Sequence, residues 1–306
     1  MDYTALKSYA EMLGCVCREK VPMSEHTSFA IGGPADIFLE APTEEALSNL
    51  TAACRKWEIP VFILGNGSNL LVSDDGIEGA VIHISGGIAD ISLTGAYEIT
   101  CGAGAKLSRL CSFALDHSLT GLEFAWGIPG SAGGAAFMNA GAYDSEMKNV
   151  LLSCRHIGPD GTAGRRIGEE LDLSYRHSAY AGSGEIITAL QLRLQPGDPE
   201  AIRAKMDDLM TRRRSKQPLE YPSAGSVFKR PAGHYAGTLI EQCGLKGYTI
   251  GGAQVSEKHA GFIVNIGGAT CSDVRRLIAH IQEQVFLQTS IELQTEIKVV
   301  GIKQNG

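Results

Sequence analysis

The segment PVFILGNGSNLL, residues 60–71, is an apolar run that breaks into a glycine turn. Its first half, residues 60–65, reads as a buried strand. The stretch Gly65, Asn66, Gly67, Ser68, Asn69 and Leu70 then frees main-chain N–H groups and adds neutral amides and a hydroxyl. That combination suits a pyrophosphate. It is not a Walker-type loop, because no Lys-Ser/Thr follows the glycines. It is not the dinucleotide fingerprint of a doubly wound sheet either. The third glycine is missing, and Asp74, Asp75 and Gly76 interrupt the place where a helix should continue. On these residues alone, a tight turn between two strands also accounts for the segment.

Working outward, the pattern of elements points to an α+β fold rather than a regular βαβ series. Residues 43–57 read as a helix, with Thr43 as its cap and Glu44 and Glu45 in its first turn. Residues 80–85, 97–102 and 185–194 read as strands, and 106–118 as a helix. A further helix over 199–214 places Ile202, Met206, Leu209 and Met210 on one face. It ends in Arg212, Arg213, Arg214 and Lys216 before Pro218, which marks a domain boundary. Residues 272–290 form an amphipathic pattern with Val274, Leu277, Ile278, Ile281 and Val285 on one side, and 291–301 read largely as strand.

Much of the chain's complement of 37 glycines lies around 65–67, 127–141 and 244–268. The second of these, GIPGSAGGAAFMNAGAY at 127–143, is built almost wholly of small residues. Such a stretch lets a large flat ligand lie against the main chain, or lets a glycine-rich segment pack closely on a neighbour. Three further clusters carry chemistry. Tyr175-Arg176-His177-Ser178 sets a guanidinium among aromatic and small residues, a fork suited to a carboxylate. Standing alone it is also an ordinary surface loop. PSAGSVFKRP at 222–231 places Ser226 before Lys229 and Arg230, a serine in an electropositive setting. It is not a nucleophile elbow, because Phe228 stands where glycine is required, so proton donation fits better than attack. In TEIK at 295–298, a strand would point Glu296 away from Ile297; a surface glutamate is the plain alternative.

Composition narrows the classes. The 306-residue chain carries a net charge of −7, which argues against a nucleic-acid surface but allows a local basic pocket for an anionic ligand. No apolar run reaches the length of a membrane span, and residues 1–14 show no signal-peptide pattern. A cytoplasmic location is expected. The eight cysteines form no CxxC pair and no zinc spacing, so no metal site is expected and the thiols should be reduced and mostly buried.

Taken jointly, HTSFAIGGPADIFLEA (26–41), ILGNGSNLLVSD (63–74), GIPGSAGGAAFMNAGAY, SYRHS (174–178), PSAGSVFKRP, GGAQVSEKHAGFIVN (251–265) and TEIKVVG (295–301) resemble the UDP-N-acetylenolpyruvoylglucosamine reductase family, in the family's order and over nearly the whole chain. The resemblance implies a two-subdomain FAD-binding region plus a C-terminal α+β substrate-binding domain. The expected boundaries are 1–75, 76–210 and 211–306. It implies non-covalent FAD, held by Gly65, Asn66, Gly67, Ser68, Asn69, Leu70, Ile128, Pro129, Gly130, Ser131, Gly133, Gly134, Ala135, Asn139, Gly141 and Ala142. It implies NADPH as co-substrate and UDP-N-acetylglucosamine enolpyruvate as the small molecule reduced, in peptidoglycan precursor synthesis. Arg176, Ser226 and Glu296 match the family's three catalytic positions. Tyr175, Lys229, Arg230 and His259 fall where the family contacts the UDP-sugar; Arg230 and His259 stand where some relatives have neutral amides. Between Arg176 and Ser226 one strand, one helix and short turns account for most residues. That leaves little room for the inserted tyrosine loop of the longer form, so the shorter form is expected, as a monomer. Two rivals remain at this level: another flavoprotein oxidoreductase of the same architecture, and a non-catalytic flavin- or nucleotide-binding protein. Neither needs the serine–arginine–glutamate set.

Overall fold

The computed structural model describes residues 3–84 and 86–302. Ser85, which the sequence reading takes into a strand, lies outside them, as do residues 1–2 and 303–306. Helices and strands are mixed along the chain, an α+β arrangement as expected. The chain forms two compact units. The first comprises residues up to Glu19, Ile37–Asn66 and Gly79–Arg212; the second comprises Lys20–Asp36, Gly67–Glu78 and everything from Arg213 on.

In the first unit, the helix Glu44–Lys56 starts where Thr43 Oγ1 accepts the Ala46 N–H at 3.1 Å. It buries Ala46, Leu47, Leu50 and Cys54. The strand expected at 60–65 is Val61–Leu64, and the one expected at 80–85 is Ile77–His83. They pair in parallel in a four-stranded sheet ordered Val16–Pro22, Pro34–Glu40, Ile77–His83, Val61–Leu64. Val61–Leu64 is therefore an edge strand, and Val61 is 37% exposed. That corrects the expectation of a buried strand: a lone apolar run does not reveal that one side lacks a neighbour.

A five-stranded antiparallel sheet follows, ordered Ala163–Ile167, Leu151–Ile157, Ile186–Arg193, Glu98–Gly102, Ile91–Gly95. Ile186–Arg193 is its centre and is buried along most of its length, whereas Ile91–Gly95 at the edge is largely exposed. This explains the contrast in the sequence between IITALQLR and ISLTG. The helix Leu107–Asp116 adds Leu110, Cys111, Ala114 and Leu115 to the core. Six of the cysteines are buried and none is bonded to another. Burial pushes the thiols of Cys54 and Cys101 up, to about 11 and about 12, so they stay protonated and unreactive at neutral pH.

In the second unit, a four-stranded antiparallel sheet runs Ser223–Ser226, Phe262–Asn265, Ala253–Val255, Thr249–Ile250. The helix Cys271–Thr289 buries Val274, Leu277, Ile278, Ile281 and Val285, the face read from the sequence. At about 1.5–3 kcal/mol for each buried apolar side chain, this face outweighs the roughly 1 kcal/mol of a cap. The cap instead sets where the helix begins. Thr270 and Asp273 form a capping box, and Asp74 accepts the N–H groups of Cys271 and Ser272 at 2.7 and 3.0 Å. The aspartate that rules out a dinucleotide fingerprint thus holds a helix start.

Only Lys298–Val300 of the expected strand 291–301 is a strand, paired in parallel with Leu70–Val72. The residues before it are anchored by the buried side chains of Leu293 and Ile297 and by one bridge from Thr295 to Phe228. Their apolar spacing resembles a strand, but they meet a partner at single points rather than along a ladder.

Candidate functional site

The first unit brings together segments far apart in the chain. After Val61–Leu64, Asn66 Nδ2 donates to the Pro129 carbonyl at 2.5 Å. A Cβ added to Gly65 would stand 2.6 Å from Ser131 Oγ. The two glycine-rich stretches therefore lie side by side, as close as glycine at position 65 permits. Within 127–143, a stretch almost wholly of small residues, the structure forms the short helix Ala132–Phe137, with Ser131 Oγ accepting the Gly134 N–H at 3.3 Å. Asn66, Pro129 and Gly134 are exposed, and Gly65, Ile128, Gly130, Gly141 and Ala142 half-buried. Ser131, Gly133, Ala135 and Asn139 are buried. Neither stretch contains an acidic side chain. Closely approachable main chain, neutral hydroxyl and amide donors and no carboxylate fit the anionic pyrophosphate of an FAD.

The end of the same stretch meets the arginine turn. Ser174 and His177 exchange both main-chain hydrogen bonds, at 3.2 and 3.0 Å, so Tyr175 and Arg176 form a two-residue turn. Arg176 sits at φ +56, a left-handed angle that such turns usually give to glycine. Holding it there costs about 1–3 kcal/mol. Its guanidinium lies 5.1 Å over the Tyr175 ring. The turn is tied down on both sides: Asn139 Nδ2 donates to the Ser174 carbonyl at 3.0 Å, and the buried Ser178 hydroxyl donates to the Phe137 carbonyl at 2.7 Å.

The second unit gathers the rest. Gly67 is at φ +62, and a Cβ there would fall 2.0 Å from the His26 carbonyl oxygen; Gly67 is buried, and Ser68, Asn69 and Leu70 are half-buried. Asn69 Nδ2 donates to the Glu296 carbonyl at 3.3 Å, and the Asn69 carbonyl accepts the Lys298 N–H at 2.9 Å. Glu296 in turn donates its N–H to the Val227 carbonyl at 2.7 Å, and Lys229 donates its N–H to the Gln294 carbonyl at 2.8 Å. Asn69, Ser226 and Glu296, some 227 positions apart at the extremes, thereby become neighbours along the main chain. Ser226 is exposed and pairs with Phe262; the ladder shifts register between Ser223 and Ser226, with Gly225 at φ +79. A bulge of this kind re-aims the side chain that follows it. Glu296 is half-buried while Ile297 is only 3% exposed, the opposition expected from the sequence.

His259 sits behind the same strand. Gly261 donates its N–H to His259 Nδ1 at 3.1 Å and accepts the Val227 N–H at 2.9 Å. Burial holds the imidazole below its ordinary pKa. Arg230 lies 4.0 Å over the ring of Tyr235, which is 61% exposed. The connection from Arg176 to Ser226 contains the strand Ile186–Arg193, the short strand Gln195–Pro196 and the helix Pro199–Lys216. Among the described residues no helix is long and apolar enough to cross a membrane, and no group of three or more His, Cys, Asp or Glu could hold a metal ion.

Comparison with known proteins identifies the family. Residues 35–165 match the FAD binding domain family, and residues 217–300 match the C-terminal domain of UDP-N-acetylenolpyruvoylglucosamine reductase. The UDP-N-acetylenolpyruvoylglucosamine reductase of Clostridium perfringens is 50% identical over 280 residues, covering 92% of this chain and 91% of the relative. That of Syntrophomonas wolfei is 48% identical over 297 residues, covering 96% and 99%. The crystal structure of UDP-N-acetylenolpyruvylglucosamine reductase from Thermus caldophilus superposes with a TM-score of 0.81 at 37% identity, over 93% of this chain and all of that one. With 50% identity along nine-tenths of its length, the chain belongs to the UDP-N-acetylenolpyruvoylglucosamine reductase family, oxidoreductases whose cofactor is FAD.

Proposed function

We propose that this protein reduces UDP-N-acetylglucosamine enolpyruvate to UDP-N-acetylmuramate with NADPH, as a cytoplasmic monomer serving peptidoglycan precursor synthesis. In this reading residues 1–75 and 76–210 are the two FAD-binding subdomains and 211–306 the substrate-binding domain. The observation that carries it is the bond from the Glu296 N–H to the Val227 carbonyl, which sets the glutamate beside the exposed Ser226 in a segment that also holds Lys229.

FAD, which residues 65–70 and 128–142 would hold, would supply the hydride, taken from NADPH, that reduces the terminal carbon of the enolpyruvyl group. Arg176 grips the substrate carboxylate with its two-pronged guanidinium and stabilises the negative charge that builds on the adjoining carbon. Glu296 helps with the same carboxylate only through a proton or a hydrogen bond between the two, since bare carboxylates repel each other. Ser226 gives its hydroxyl proton to the carbon next to the carboxylate, which receives the former double-bond electron pair; water then restores the hydroxyl. Lys229 lowers the cost of the transient alkoxide. Tyr175, Lys229, Arg230 and His259 bind the UDP-sugar.

The test is turnover. Purified protein should be yellow, and heat or acid should release free FAD. NADPH should bleach the bound flavin, and UDP-N-acetylglucosamine enolpyruvate should restore its colour with formation of one lactyl ether per NADPH. A bleached flavin that the enolpyruvyl substrate fails to reoxidise rejects the proposal.

A further inference from the structure

We infer that Asn139 is a positioning residue that locks the Tyr175-Arg176 turn in its working conformation. The inference rests on the role proposed above for Arg176. Asn139 has no exposed surface and sits at φ +42, a left-handed angle that asparagine tolerates better than most residues. Both ends of its amide are committed to main chain. Nδ2 donates to the Ser174 carbonyl at 3.0 Å, and Oδ1 accepts the Lys148 N–H at 2.9 Å. A donor and an acceptor are needed in fixed places, so the two ends of the amide cannot be exchanged.

Ser174 is the residue that closes the turn by its paired bonds with His177. The Asn139 amide therefore holds the base from which Arg176 projects. Arg176 itself lies at φ +56, where a non-glycine residue persists only when its surroundings over-determine it. Release of the Ser174 carbonyl lets the turn relax toward negative φ and carries the guanidinium away from its place. The effect reaches the reaction only through Arg176, which makes Asn139 a positioning residue and not a catalytic one.

Two variants separate the roles of the amide. Asn139→Gly keeps the left-handed backbone and removes both bonds. Asn139→Asp keeps an acceptor for Lys148 but sets a carboxylate oxygen against the Ser174 carbonyl. Asn139 belongs to the stretch expected to line the FAD, but both ends of its amide are committed to main chain and not to a ligand, so in flavin-loaded protein both variants should retain flavin stoichiometry and reduction by NADPH. Reoxidation by the enolpyruvyl substrate should slow by roughly 10- to 10²-fold, the scale of a small misplacement of a working group. Amide hydrogen exchange at His177, whose N–H closes the turn, should speed up. The double variant Asn139→Gly with Arg176→Ala should be no slower than Arg176→Ala alone, because the two act through one group. Losses that multiply in the double variant overturn the inference, as does wild-type reoxidation in both Asn139 variants while Arg176→Ala is slow. Loss of bound flavin in both variants overturns it in favour of a direct part in the flavin site. Wild-type reoxidation in Arg176→Ala removes the role of Arg176 and this inference with it.

Discussion

Glu296 and Val227 are joined by a 2.7 Å bond from the glutamate N–H to the valine carbonyl, although 69 positions separate them. The bond places the C-terminal segment against the strand that ends at Ser226. Asn69 extends the arrangement by receiving the Lys298 N–H and donating to the Glu296 carbonyl. The backbone positions of a serine, a glutamate and a member of the first glycine turn are thus set by main-chain bonds. Side-chain changes at Ser226 and Glu296 leave those bonds in place, so such variants report on chemistry more than on folding.

Ser226→Ala should bind FAD, accept reduction by NADPH and bind the UDP-sugar, while turnover falls by ~10²–10⁴-fold, the range for loss of a positioned general acid. Ser226→Cys should recover part of the rate, since a thiol also donates a proton. If Ser226 only completes the bulge at Gly225, alanine is nearly harmless and cysteine slightly worse. Stopped-flow reoxidation of reduced flavin in the two variants distinguishes the cases, and a near-wild-type alanine variant removes Ser226 from the mechanism.

Arg176→Lys keeps a cation but loses the fork that grips a carboxylate through two parallel bonds. It also loses the planar group that lies over the Tyr175 ring. Reoxidation of the flavin by substrate should slow by roughly 10²-fold or more, with reduction by NADPH changed far less. Equal damage to the two half-reactions, measured separately, would mean that Arg176 does not serve the substrate carboxylate.

Local signals in the sequence carried much of the fold. Thr43 ahead of Glu44 and Glu45 marked one helix start, and the spacing of Val274, Leu277, Ile278, Ile281 and Val285 marked a buried helix face. These features depend on neighbours within one or two turns. The edge position of Val61–Leu64 and the break-up of 291–301 were not legible, because both depend on which strands lie alongside. The site divides the same way. Residue types at Arg176 and Ser226 suit carboxylate binding and proton donation, Glu296 alone reads equally as a surface residue, and only the family resemblance gathers the three into one proposed reaction. No local pattern marks Asp74 as the cap of a helix about 200 positions away, or Asn139 as the tether of the arginine turn. Each of those roles is a contact at long sequence range between a common polar side chain and main chain.

His259 offers a test through pH. Its imidazole is half-buried, and Nδ1 accepts the Gly261 N–H, an arrangement that requires that nitrogen to be unprotonated. Burial lowers its pKa in the folded protein, whereas the unfolded chain titrates near the ordinary value of 6.5. The folded state therefore binds fewer protons than the unfolded state once the pH drops below about 6.5. Stability from this group is fully present above that value and is lost as the pH falls through the window toward the lowered folded pKa. His259→Gln removes the titration. Carboxylates elsewhere contribute equally to both proteins and cancel in the difference. The stability of wild type relative to His259→Gln, from denaturant melts between pH 8 and pH 5, should be flat at the alkaline end and decline steadily below about 6.5. A difference independent of pH would show that the imidazole is not held neutral by its surroundings, and a difference that grows in favour of wild type on acidification would mean that the folded protein prefers it charged.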